Sequence, residues 1–124
     1  MSYRVAAAST DGKVVNQHFG RAERFHIFEI SEDEGYRFLE SRKVDACCGG
    51  GGHEIGAFEA VARTLSDVQA IFVGRIGEGA SGFMARKGFA VYEAPFPIEP
   101  LLQKIIDDRL YESDGWRTPV NSNP

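Results

Sequence analysis

The stretch FHIFEI, residues 25–30, decides how the rest of the chain is arranged. Apolar side chains on both of its faces are typical of a strand that lies in the interior of a sheet. Residues 3–8 upstream form a strand of small and β-branched residues, and YRFLESRKV at 36–44 forms another strand downstream. The turn SEDEG joins the second strand to the third, so we expect these two to pair as a hairpin. The first half of the chain is therefore predicted to be a three-stranded meander.

The apolar residues change their period after Glu54. Helical spacing predicts a helix from this point to Leu65. The remaining predicted elements are a short apolar strand at 69–74, a helix at 77–88, a strand at 89–93 and a final helix from Pro97 to Leu110. This order predicts an α/β fold, ribonuclease H-like, with a five-stranded mixed sheet in the order 3-2-1-4-5 flanked by helices. We expect one domain over residues 1–112 and a polar, flexible tail over 113–124.

The predicted topology brings three loops to one end of the sheet. Strands one, three and four run in the same direction, so the loops 10–24, 43–53 and 75–78 leave at the same edge. Open α/β sheets bind their ligands at the carboxyl ends of such strands. The topology therefore predicts a ligand site that is shared by these three loops.

The segment RKVDACCGGGGHE, residues 42–54, carries the chemistry that stands out most. Thiolates and imidazoles bind soft or borderline metals, and bare glycine N–H groups bind anions such as bridging sulfides. We predict the metal ligands to be His18, Cys47, Cys48 and His53. The wider cofactor-binding set adds the glycines Gly49, Gly50, Gly51 and Gly52 and the cations Arg21, Arg24 and Arg75. On topology alone, His18 is as well explained as a ligand as it is as an ordinary surface residue. His26 lies inside a strand and is expected to be structural.

Charge and composition exclude several classes of protein. The chain has 124 residues, a net charge of −4 and a pI near 5.3, which argues against a general nucleic-acid binder. No apolar run is long enough to cross a bilayer, and the N-terminus lacks the apolar region of a signal peptide. The only two cysteines are adjacent, so they cannot form a disulfide framework. We expect a cytoplasmic protein with reduced thiols.

Other uses of these motifs stay open. The segment GEGASG, residues 77–82, matches a dinucleotide-binding turn, and Glu93 could then bind a ribose. Because this turn comes late in the strand order, we expect its glycines to permit tight packing of a helix on the sheet instead. A catalytic cysteine–histidine pair lacks an orienting group, and a four-ligand zinc site lacks the usual cysteine spacing. The alternative functions are a small nucleotide-binding module and a metal-independent interaction domain.

Three segments carry a resemblance to a known family: DGKVVNQHFGRAERFHIFEI, RKVDACCGGGG and VGRIGEGA. Over residues 3–110 the chain resembles the dinitrogenase iron–molybdenum cofactor biosynthesis family, which comprises NifX-like and NafY-like carriers and the C-terminal domain of NifB. The resemblance implies a ribonuclease H-like fold and the binding of an iron–sulfur cluster, either the iron–molybdenum cofactor or its precursor. It also implies that His18 in the HFG loop is the first candidate ligand, followed by Cys47 or Cys48.

The resemblance implies that the protein is a carrier rather than an enzyme. Such proteins hold the cluster during nitrogenase-type assembly and do no chemistry on it. Their partners would be the proteins that donate the cluster and those that accept it, with no nucleic acid and no membrane involved. We expect the chain to be a monomer.

Overall fold

The computed structural model describes residues 2–44 and 55–119. Its elements are β1 (Ser2–Ala8), a 3₁₀ turn (Phe19–Arg21), β2 (Arg24–Ser31), β3 (Gly35–Lys43), α1 (Ile55–Thr64), β4 (Ala70–Val73), α2 (Glu78–Arg86), β5 (Ala90–Glu93), α3 (Ile98–Asp108) and α4 (Leu110–Ser113). The predicted final helix is divided into α3 and α4, because Arg109 adopts a left-handed conformation with φ of 50°. Among the described residues, no helix is long and apolar enough to cross a membrane.

The five strands form one mixed sheet in the order β3-β2-β1-β4-β5, which confirms the predicted strand order. β2 pairs antiparallel with both β1 and β3, while β4 runs parallel to β1 and β5 runs parallel to β4. The stretch FHIFEI therefore lies inside the sheet, as its two-sided apolar pattern predicts. One irregularity interrupts the hairpin: Phe28 faces Phe38 and Ile27 faces Glu40, so that Leu39 is an extra residue on β3.

Each face of the sheet has its own apolar core. On one face, Ile27, Phe25 and Ile71 pack with residues of α1 and α2. On the other face, Phe28 and Phe72 pack with residues of α3 and α4. Alternate residues of a strand contribute to opposite faces, which is why the central strands read as continuous apolar runs in the sequence.

Part of the predicted tail packs against the body of the protein. Trp116 is 7% exposed and its indole N–H donates to the hydroxyl of Tyr92 at 2.8 Å. The guanidinium of Arg117 lies over the Phe89 ring, 4.4 Å from its centroid, and donates to the carbonyl of Val68. These two residues extend the packed part of the chain beyond residue 112, while residues 120–124 lie outside the described residues.

Candidate cofactor-binding edge

The carboxyl ends of β1 and β4 lie at the same edge of the sheet as the end of β3. The pairing places Arg24 at the start of β2 opposite Lys43 at the end of β3, and Ala8 opposite Phe25. We call this boundary the loop edge; it is defined by Ala8, Arg24, Lys43 and Val73. The prediction that the loops after β1, β3 and β4 leave at one edge is confirmed for the parts of those loops that the structure describes.

His18 is held at the loop edge by the backbone of its own loop. It forms an isolated parallel bridge with Arg75, in which the N–H of Phe19 donates to the carbonyl of Arg75 at 2.8 Å. One step earlier, the N–H of Gly74 donates to the carbonyl of Gln17 at 2.8 Å. The side chains of His18 and Arg75 are both exposed. Two backbone hydrogen bonds thus join the loop after β1 to the loop after β4. They place the residue with the imidazole next to the residue with the guanidinium.

Two residues without a charge fix this arrangement. Phe19 is 3% exposed, and its ring lies 6.5 Å from that of Phe25 and 6.2 Å from that of Phe58, so it anchors the loop in the core. Gly74 provides room for the close approach of the two loops, since a Cβ at this position would lie 3.3 Å from the carbonyl oxygen of Gln17. The position of His18 therefore depends on a buried ring and on a glycine.

The start of the loop after β1 is a compact polar turn. The N–H groups of Lys13 and Val14 donate to Oδ1 of Asp11 at 2.8 and 3.2 Å, and the hydroxyl of Ser9 donates to the same oxygen at 3.0 Å. These hydrogen bonds, with that from Lys13 the strongest, lower the pKa of the Asp11 carboxyl. Asp11 is thus held in its ionised form by the turn and is a structural acid.

A polar groove of about 540 Å³ opens beside the loop edge. Its floor and walls are formed by Ser9, Thr10, Gln17, Glu23, Arg24, Lys43 and Val44. The cations Arg24 and Lys43 face each other across β2 and β3, and both are exposed, as is Arg21 in the 3₁₀ turn. In the part of the chain that the structure describes, no ion pair involves Arg21, Arg24 or Arg75.

Not every cation near this edge faces the groove. Arg42 donates to both carboxylate oxygens of Asp67, at 2.6 and 2.9 Å, and to the carboxylate of Glu40 at 2.9 Å. Its charge is therefore neutralised on the α1 side of the sheet. Arg42 belongs to the structural framework, although in the sequence it stands beside the cysteine–glycine segment.

Several predicted site residues lie outside the described residues: Cys47, Cys48, Gly49, Gly50, Gly51, Gly52 and His53. The structure describes the chain up to Val44, whose N–H donates to the carbonyl of Glu23 at 2.9 Å beside the groove. Within residues 2–44 and 55–119 there is no group of three or more histidine, cysteine or acidic side chains that could hold a metal ion. Of the four predicted metal ligands, His18 is the one that lies within the described residues.

The glycines Gly77 and Gly79 of the GEGASG segment do not pack tightly against the sheet. The segment opens α2, but a Cβ built on Gly77 or Gly79 would meet no atom within 4 Å, so the expectation of tight helix–sheet packing is wrong at these two positions. The Glu93 carboxylate accepts a hydrogen bond from the N–H of Ile76 at 2.8 Å. Glu93 thereby holds the backbone next to Arg75. The nucleotide interpretation would instead require this carboxylate to bind a ribose.

Sequence reasoning missed Gln17 and Gly74 at this edge, and it considered Glu93 only as a ribose ligand. All three act through contacts with the backbone of loops that are separate in the sequence, and no local pattern indicates such contacts. Lys43 lies in the segment 42–54 that the sequence singles out, and the hairpin register places it opposite Arg24.

Comparison with known protein families gives a match over most of the chain. Residues 1–108 match the sequence model of the family described as "Dinitrogenase iron-molybdenum cofactor". The FeMo cofactor biosynthesis protein NifB of Herbaspirillum seropedicae is 40% identical over 77 residues, which are 62% of this chain and 14% of that protein. NifB of Rhodobacter capsulatus is 30% identical over 113 residues, 90% of this chain and 25% of that protein. The chain thus corresponds to a quarter or less of the length of these two relatives.

Solved structures share the fold at low sequence identity. A protein of Methanocaldococcus jannaschii, MJ0327, provisionally described as a dinitrogenase, superimposes with a TM-score of 0.58 at 16% identity, covering 100% of this chain and 99% of that one. The protein PH0822 superimposes with a TM-score of 0.59 at 19% identity, covering 85% of this chain and 91% of that one. At these identities the likeness concerns the fold alone.

Proposed function

Because the chain belongs to the dinitrogenase iron–molybdenum cofactor family, we propose that it takes part in metallocluster assembly by binding and carrying an iron–sulfur cofactor. The cargo is the iron–molybdenum cofactor or its iron–sulfur precursor. The observation that supports this most is the exposed imidazole of His18, which backbone pairing with Arg75 holds at the loop edge. We retain the ribonuclease H-like assignment of the fold as part of the proposal.

The chemistry of the loop edge suits a soft, anionic cargo. An imidazole such as that of His18 suits iron as a ligand, and the thiolates of Cys47 and Cys48 would supply the softer ligands. Arg21, Arg24 and Arg75 offer positive charge that is not consumed by ion pairs among the described residues. Their N–H groups, with those of Gly49–Gly52, would donate to the sulfides of the cargo.

A site of this kind favours reversible binding. One imidazole and one or two thiolates leave most of the metal sites of a cluster without a protein ligand, so attachment is weaker than in a protein with a resident, fully ligated cluster. The protein would receive the cluster from one assembly protein and release it to another, and would catalyse no step. This role places it in the cytoplasm, where thiols stay reduced.

Anaerobic loading tests the proposal. The protein is incubated with an iron–sulfur cluster donor, desalted, and analysed for bound iron and sulfide. We expect the parent protein to retain both, and we expect His18→Ala and the double variant Cys47→Ala/Cys48→Ala to retain several-fold less. If the parent retains no iron, the proposed function is wrong. If both variants retain as much as the parent, the function stands and the site assignment is wrong.

A matched pair of arginine variants tests the role of charge. Arg75 pairs with His18 through its backbone, whereas Arg86, which is also exposed, lies in the last turn of α2. We expect Arg75→Ala to lower cluster retention and Arg86→Ala to leave it unchanged. Equal effects of the two changes would mean that the net charge of the protein, and not the local geometry, governs retention.

A further inference from the structure

β3 is an edge strand that carries an exposed aromatic ring and exposed side chains of both charges. In the described part of the chain it pairs with β2 on one side and with no strand on the other. It spans nine residues, whereas β5 at the opposite edge spans four. Phe38 in its middle is 55% exposed and, with Phe96, is one of the two exposed large apolar residues in the described part of the chain. A long edge strand with an exposed aromatic ring is a template for association.

One positive and one negative side chain flank the centre of β3. Arg37 and Glu40, with side chains 71% and 54% exposed, lie on either side of Phe38 and Leu39. Each already has an ion-pair partner in its own chain: Arg37 lies 2.9 Å from Glu29, and Glu40 lies 2.8 Å from Arg42, so a contact with a partner subunit would extend these two pairs. In the strand register, Arg37 and Glu40 pair with Glu29 and Ile27 of β2, two residues apart, so both project from the same face of the sheet. The extra residue Leu39 makes this possible, because without it residues 37 and 40 would project from opposite faces.

From this arrangement we propose, in place of the monomer expected from the sequence, that two copies of the protein associate through antiparallel pairing of their β3 strands. A twofold axis between Phe38 and Leu39 would place Arg37 opposite Glu40 of the partner subunit, and Glu40 opposite the partner subunit's Arg37. The same register would bring the exposed acidic turn at 32–34 next to the exposed Lys43 of the partner subunit. Each interaction then occurs twice, as in any isologous interface.

The opposite face of the strand supports the same register. Phe38 and Tyr36 line a groove of about 540 Å³. Its other lining residues are the apolar Phe28, Pro97, Ile98 and Pro100, together with Gly12 and the charged Lys13, Arg37 and Glu99. In the proposed dimer, the two Phe38 rings would lie on either side of the axis and extend the apolar surface of both grooves. Burial of these rings would supply the attraction, and the charge pairs would select the register.

Charges and bulges on an edge strand can also prevent pairing, so the charges themselves must be tested. Arg37→Glu places two like-charge contacts in a homodimer, and so does Glu40→Arg. Each change also places a like charge beside a neighbour in its own chain, Glu29 or Arg42, and mixing the two variants separates the effects because it restores only the contacts between subunits. We expect each variant to raise the dimer dissociation constant by about tenfold or more in sedimentation equilibrium. The control is Arg86→Glu on α2, which should associate as the parent does. Thermal unfolding of all variants checks that each is folded.

Mixing the two variants gives the decisive result. In a mixture of Arg37→Glu with Glu40→Arg, both contacts join opposite charges again, so we expect heterodimers at concentrations at which neither variant forms homodimers. The double variant Arg37→Glu/Glu40→Arg should regain homodimerisation for the same reason. The proposal is overturned if the parent stays monomeric at millimolar concentration, if the single changes leave association unaltered, or if the mixture fails to associate. This test requires no cofactor, so its outcome is independent of the proposed function.

Discussion

His26 and His18 differ in almost every structural respect, although both lie toward the loop edge. His26 is 8% exposed, and its ring bonds on both sides: Nε2 lies 3.1 Å from the carbonyl oxygen of Ser9, and Nδ1 lies 2.8 Å from the hydroxyl of Ser41. His18 is exposed, and it is its backbone that is fixed, by the bridge with Arg75. One imidazole is a component of the folded structure, and the other is presented at the surface.

The difference separates residues that stabilise the fold from residues that are available to a ligand. Hydrogen bonding to both ring nitrogens leaves His26 no free position for a metal. His18 has its main chain held in place while its side chain remains accessible, which is the arrangement that a reversible ligand requires. If this comparison is valid, changes around His26 reduce stability, and changes at His18 reduce cargo binding. The predictions that follow are ordered by their expected effect on stability.

Phe19→Ala is expected to have the largest effect. Removal of a buried aromatic ring destabilises a core by about 3 kcal/mol, and Phe19 also anchors the loop that carries His18. Urea unfolding should show this loss, and cluster retention under native conditions should fall as well. Phe19→Leu keeps most of the apolar volume and should lower both quantities less. Retention equal to that of the parent in folded Phe19→Ala would show that the anchor does not position the site.

His26→Ala should reduce stability without reducing cargo binding. The change leaves the buried carbonyl of Ser9 without its donor and should cost about 2 kcal/mol of the free energy of unfolding. His26→Gln, which retains a side-chain donor, should cost less. Cluster retention by both folded variants should equal that of the parent. A several-fold loss of retention in His26→Gln would contradict the division of roles between the two histidines.

Asp67→Asn extends the comparison from imidazoles to charges. Asp67 accepts hydrogen bonds from Arg42 and from Arg4, and these hold the pKa of its carboxyl well below the ordinary value of 3.8. The ionised group therefore stabilises the folded protein above that value, and the stabilisation is lost as the pH falls below it. Because the pair is partly exposed, we expect a loss of about 1 kcal/mol at pH 7. The difference between parent and variant should shrink as unfolding is measured from pH 5 down to about pH 3.

Much of the fold could be predicted from the sequence, because it depends on local patterns. The two-sided apolar stretch at 25–30, the change of period after Glu54 and the right-handed crossover rule together give the strand order that the structure has. The division of the last helix at Arg109 was not predicted, since a left-handed arginine has no sequence signal. Nor was the packing of Trp116, because it depends on a distant partner, Tyr92.

The candidate site could be predicted only in part. Topology alone indicates that the loop of His18 and the loop of Arg75 leave at the same edge. It does not indicate that the two backbones are paired, because this depends on Gly74 and on the register between loops more than fifty residues apart. The thiols and glycines of the predicted set lie outside the described residues, and their role stays a prediction.

His18→Ala is expected to have the smallest effect on stability and provides the most direct test of the central claim. An exposed side chain contributes less than about 0.5 kcal/mol to the free energy of unfolding. The measurement is iron and sulfide retained per chain after anaerobic loading, made side by side on the parent, His18→Ala and His26→Gln. The account predicts that only His18→Ala loses most of the bound iron while unfolding as the parent does. Undiminished iron in folded His18→Ala would contradict it.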